Sequence, residues 1–125
     1  MPIAHRAVQG AHALDCFSIE YSDIHKTWHN QSQHLAIVSV KDRESLFALI
    51  AKLESKGINI TIFREPDMGN DTTAIAVEPT ERAKKALSNL PLAFQNYYKR
   101  QPLNSVRSEN LLVGTTVGVL SDVEG

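Results

Sequence analysis

Ile62-Phe-Arg-Glu-Pro-Asp-Met-Gly-Asn-Asp-Thr-Thr-Ala-Ile-Ala-Val-Glu-Pro79 is the stretch that decides the fold. It opens apolar, crosses a segment holding Glu65, Asp67, Asp71, Gly69 and Asn70, and closes apolar again. Pro, Gly and Asn are turn formers, so the stretch reads as strand, loop, strand, and so short a connection makes the strands antiparallel. The loop itself has two readings. It is either plain punctuation between strands or a functional loop whose acids do chemistry.

Working outward, Ile58-Asn-Ile-Thr-Ile-Phe63 alternates in the manner of a strand. Leu35-Ala-Ile-Val-Ser-Val40 is continuous, β-rich and apolar, the pattern of a buried strand. Between them Asp42 offers an N-cap, Leu46, Leu49, Ile50 and Leu53 make one helical stripe, and Gly57 supplies a left-handed stop. Strand, helix, strand in that order predicts a right-handed crossover with 35–40 and 58–63 paired in parallel. Downstream, Thr72 to Val77 is the next strand, and Pro79 with Thr80 opens a helix running to about Asn89. The fold class is α/β, a mixed sheet of about four strands with helices packed on it.

Two ends remain. A helix is expected from about residue 4 to 20, its apolar stripe drawn from Ala7, Val8, Ala11, Leu14 and Phe17. Tyr21 to His34 is polar, a short helix or loop anchored by Trp28. Leu111-Leu-Val-Gly-Thr-Thr-Val-Gly-Val-Leu120 is β-prone and apolar after a polar linker at 101–110. We expect residues 1–100 to form the main domain and the tail at 101–125 to belong to it, 111–120 giving the sheet a strand. The alternative is strand exchange in a homodimer, because an uncovered sheet edge invites pairing.

Chemistry concentrates on the first helix and the acidic loop. Arg6, Gln9 and His12 recur every three residues and share one helical face. A cation, an amide and an imidazole in line suit an anion- or ester-handling edge; the plainer reading is an exposed polar face. Gln9-x-x-His12-Ala13, followed by the loop and by Ala74-Ile-Ala-Val-Glu-Pro79, resembles the archaeal and eukaryotic-type, or second, family of peptidyl-tRNA hydrolases over roughly residues 4 to 90. That family has a lysine four residues before the Gln, where this chain has His5 followed by Arg6. Its Asp-Ala-Gly is here Glu65-Pro66-Asp67, and its loop Thr falls on Gly69, with Thr72 and Thr73 close by. The strand that precedes its helix has no counterpart after Met1, so the tail strand is the expected substitute.

The resemblance implies hydrolysis of the ester joining a peptide to the 3′ ribose of tRNA, without a cofactor. Such a reaction needs an activated water, a donor to the developing oxyanion and a grip on phosphate. His12 or His5 would be the base, with Glu65 or Asp67 orienting the base or the water. Gln9 and Asn70 would donate to the oxyanion. Arg6 would hold it or a phosphate, and Arg64, Thr72 and Thr73 would line the substrate. The rivals are a non-catalytic descendant binding tRNA or a protein, and an interaction module dimerising through its tail.

Bulk composition narrows the field. The 125 residues are 42% hydrophobic and 22% charged with a net charge of −1, which fits one soluble domain rather than a nucleic-acid-coating polycation. A local basic edge from Arg6, Arg64, Lys99 and Arg100 remains open. One cysteine, Cys16, excludes an internal disulfide and suits a cytoplasmic setting; on its helix it reads as a small core hydrophobe rather than a nucleophile. No membrane span or signal-peptide pattern is expected. His25 and His29 lack a nearby third ligand, so no metal is expected. No Gly-rich phosphate loop or serine nucleophile elbow occurs.

Overall fold

A computed structural model of the chain describes residues 3–66, 69–93 and 116–121. In chain order the elements are α1 (Ile3–Glu20), α2 (Ser22–Asn30), β1 (Leu35–Val40), α3 (Arg43–Ser55), β2 (Ile60–Glu65), β3 (Asp71–Val77), α4 (Glu81–Ala86) and β4 (Thr116–Ser121). The segment left open between helix and loop is helical over Ser22–Asn30, with Trp28 buried and its indole N–H donating to the His34 carbonyl at 2.7 Å.

The sheet order is β1-β4-β3-β2. β2 and β3 form the expected antiparallel hairpin. The expected parallel pairing of the 35–40 and 58–63 strands is not formed: β4 and β3 lie between them. The tail strand takes the place beside β1, running parallel to it and antiparallel to β3. A crossover fixes the relative direction of two strands, and the directions do agree. It does not forbid later chain from entering between them, and only a non-local pairing supplies that information. The part of the expected tail strand at 111–115 lies outside the described residues.

Helices cover both faces. On one, Leu46, Leu49, Ile50 and Leu53 of α3 pack with Val38, Ile60, Ile75, Val77 and Val119, joined by Ala83 and Leu87 from the α4 region. On the other, Ala13 and Phe17 of α1 lie against Ala74 and Ala76 of β3, with Phe63 at the side. The α3 side begins as expected, with the Asp42 carboxylate accepting from the Ser45 N–H at 2.8 Å, and Gly57 ends it at φ +71°. Thr80 caps α4 through the Ala83 N–H, and the helix stops at Ala86, short of Asn89.

The first helix is rotated from the expectation. Gln9, Gly10, Ala13 and Phe17 face inward, whereas Ala7 and Ala11 are exposed and Val8 is 49% exposed. Apolarity alone misplaces the face, because the inward polar residue has partners that make its burial affordable.

β1's outer edge is covered. Ser39 N–H donates to the Pro91 carbonyl at 3.0 Å and Ala93 N–H donates to the Ile37 carbonyl at 2.9 Å. Register places the C-terminal ends of β1, β2 and β4 at one end of the sheet with the start of β3. The N-terminal turns of α1 and α3 reach the same end, through Gln9 to Glu65 and Arg43 to Asp71.

Candidate functional site

Along β2, alternation sends Thr61, Phe63 and Glu65 to the α1 face. Glu65 was expected in the loop, but it is the last residue of the strand and only 8% exposed. Its place in the ladder fixes its direction as no loop would. The turn that follows is built on backbone chemistry. Gly69 and Asn70 both adopt positive φ, +67° and +62°, and the Asn70 N–H donates to the Glu65 carbonyl at 2.9 Å. Gly and Asn are the residues that tolerate this region. Asp67 lies outside the described residues.

β3 carries one extra residue opposite β2. Phe63 pairs with Ala74 and Arg64 with Thr72, so Thr73 is the inserted residue. A bulge of this kind turns the extra side chain toward the face of its neighbour. The Thr73 hydroxyl accordingly donates to Gln9 Oε1 at 2.8 Å, although strict alternation would have sent it to the α3 face.

Gln9 is 1% exposed and uses both ends of its amide. Nε2 donates to Glu65 Oε2 at 2.6 Å while Oε1 accepts from Thr73. Thr73, Gln9 and Glu65 therefore form one directed chain of hydrogen bonds ending on a carboxylate oxygen. One turn further along α1, the His12 imidazole lies flat on Phe63, with ring centroids 4.8 Å apart and planes 13° from parallel. Glu65 and Phe63 are two residues apart on one strand face, a spacing of about 7 Å. An amide thus sits over the acid and an imidazole over the aromatic ring beside it.

The structure brings together Gln9, Glu65 and Thr73, with His12 one strand position away. Arg6 and His5 are half-buried on the N-terminal side of Gln9. Arg64 and its partner Thr72 are on alternate positions, which carries them away from the α1 face. Asn70 is exposed in the turn. Two groups escaped the sequence reading. Phe63 could have been found from its alternation with Glu65. The Arg43–Asp71 ion pair, 2.6 Å between Nη2 and Oδ2, joins the start of α3 to the start of β3, and no local pattern announces it.

Other nucleophiles and ligands stand apart. Burial pushes the Cys16 thiol up from its ordinary range, and the neighbouring Asp15 and Glu20 carboxylates push the same way, so it stays a thiol. His25 and His29 stack with centroids 6.3 Å apart, and among the described residues no three His, Cys, Asp or Glu gather as a metal site.

A family profile described as Peptidyl-tRNA hydrolase PTH2 matches residues 1–92. The chain belongs to the PTH2 peptidyl-tRNA hydrolase family. Gln9, His12, Glu65 and Thr73 all lie inside the matched span, while β4 lies beyond it. No curated protein and no solved structure matches the chain. No helix among the described residues is long and apolar enough to cross a membrane.

Proposed function

We propose that this PTH2 member hydrolyses the ester between a peptide and the 3′ ribose of tRNA, acting in the cytoplasm. The observation that carries this reading is the buried Thr73–Gln9–Glu65 chain at the end of the sheet where β2 stops. A carboxylate held by a fixed amide donor is a rigid acceptor, and a rigid acceptor can orient a water.

In this reading the water lies between Glu65 and His12. The imidazole takes its proton as the water oxygen bonds to the ester carbonyl carbon. Arg6 stabilises the oxyanion, and the proton returns to the ribose 3′ oxygen as the carbon–oxygen bond breaks. Gln9 is a positioning residue, since its amide is committed to Glu65 and Thr73. His5 at the family's lysine position completes the polar surroundings. Phosphate contact falls to Arg6 and the neighbouring surface.

The test is peptide release from N-acetyl-aminoacyl-tRNA by the purified chain, beside Glu65→Gln. Turnover should fall at least about 100-fold in a folded variant, the lower range for loss of a positioned acid–base group. A wild-type chain without turnover, but with salt-sensitive tRNA binding, would establish the second reading, a binding descendant. That reading is favoured by His5 and by Glu65-Pro66-Asp67, two of the departures from the family pattern.

A further inference from the structure

At the far end of the sheet from Glu65, the last turn of α3 and α4 enclose an open pocket of about 410 Å³ lined by Lys52, Lys56, Arg82, Lys85 and Ala86. We propose that this pocket is a second RNA contact, taking the phosphate backbone of the tRNA body in a sequence-independent way. The RNA class rests on the ester-hydrolase reading above; the cationic pocket does not.

Four of the chain's 13 lysines and arginines line this one hollow, in a chain of net charge −1, and no acid lines it. Cations at a helix C-terminus are ordinary where they answer the terminal carbonyls. Arg82 serves that need here. Its guanidinium donates to the Lys56 carbonyl at 2.6 Å and to the Gly57 carbonyl at 3.4 Å. The ion pairs Arg43–Asp71 and Lys84–Glu81 engage none of Lys52, Lys56 or Lys85. Three exposed ammonium groups are left crowded around a hollow, and like charges held together favour an anion between them.

The residue types choose among anions. Lysine ammoniums on flexible stems are point charges without a fixed fork, suited to a run of phosphates rather than to one small ligand of set shape. Placement agrees. From the start of β2 to Glu65 is roughly 17 Å of strand, and α3 and α4 lie on the face opposite α1. A ligand touching both sites must extend well beyond a 3′ terminal nucleotide.

The experiment compares the wild type with Lys52→Ala/Lys56→Ala/Lys85→Ala in a salt titration of deacylated tRNA binding. It also follows hydrolysis of a full-length peptidyl-tRNA and of a short peptidyl-CCA ester. The three side chains are exposed, and circular dichroism checks the fold. We expect tRNA affinity to fall at least about 10-fold and the salt slope to lose about one unit per lysine. KM should rise for the full-length substrate only, with the short ester unaffected. Equal affinity and slope in the two proteins would overturn the proposal. So would tripolyphosphate failing to compete with tRNA for the wild type. Lysine-dependent tRNA binding without ester turnover would keep this inference and remove the hydrolase reading; turnover with lysine-independent binding would do the reverse.

Discussion

On the α3 face, Leu46, Leu49, Ile50 and Leu53 meet Ile75, Val77 and Val119, a contact made of branched aliphatic chains. On the α1 face the same strand β3 offers Ala74 and Ala76 to Ala13 and Phe17, and its upper end is closed by Gln9, Thr73 and Glu65. The two faces share one backbone and differ only in which residues alternate outward. Where side chains are large, the face is filled and holds the fold. Where they are small, the helix comes close and a polar chain is buried at its end. The difference separates stability from chemistry across the thickness of a sheet, and it can be broken by substitution on one face at a time.

The largest expected effect is on the filled face. Leu53 is fully buried in the aliphatic cluster, so Leu53→Ala should cost about 2–5 kcal/mol of unfolding free energy. Urea denaturation measures it, and ester turnover per folded molecule should stay within about 2-fold, below the 10-fold that 1.4 kcal/mol on the barrier would give. A large loss of turnover in the folded fraction would mean that the faces are not separable.

Next comes Gln9→Leu on the other face. The substitution keeps the bulk and removes the amide that donates to Glu65 and accepts from the Thr73 hydroxyl. The expected cost is about 1–3 kcal/mol of stability. Turnover should fall together with it, and a double-mutant cycle with Glu65→Gln should show strong coupling, since both residues act through one hydrogen bond. Additive effects would sink the positioning role of Gln9.

Much of this was readable from the chain. Leu35–Val40, the Asp42 cap and the Gly57 stop are local signals, set by β-branching, a side-chain acceptor and a positive φ. The pairing of Gln9 with the Glu65 region was readable from the order of motifs. What escaped was non-local. Val8 points outward and Gln9 inward because of partners more than fifty residues away, which no apolar count contains. The insertion of β4 between β1 and β3 is likewise fixed by pairing with distant chain. The bulge at Thr73 has no glycine to mark it, so its turn toward α1 emerges only from the register.

A smaller effect probes that bulge. Thr73→Val keeps the shape of the side chain and deletes the hydroxyl that donates to Gln9. Because the Gln9 oxygen then loses its described donor in a buried place, stability should fall by about 1 kcal/mol. Turnover should fall a few-fold while KM holds, since the amide still reaches Glu65 but is less firmly oriented. A change in KM alone would place Thr73 at the substrate, as its neighbourhood in the sequence first suggested.

The smallest effect is a control on the filled face, close to the site yet outside its chemistry. Asp42 caps α3, and the hydrogen bond its carboxylate accepts from the Ser45 N–H holds its pKa below the ordinary 3.8. A depressed folded-state pKa stabilises the fold above the unfolded value and loses that contribution as pH falls through the folded one. The wild type should therefore melt above Asp42→Ala at neutral pH, and the gap should narrow once pH drops below about 4. The pH profile of ester turnover should be the same in both proteins, because the groups proposed to act on the water, His12 and Glu65, belong to the α1 face. If removing the cap moved that profile, the Arg43–Asp71 bridge from α3 to β3 would be carrying strain into the hairpin, and the division between the faces would fail at this end of the sheet.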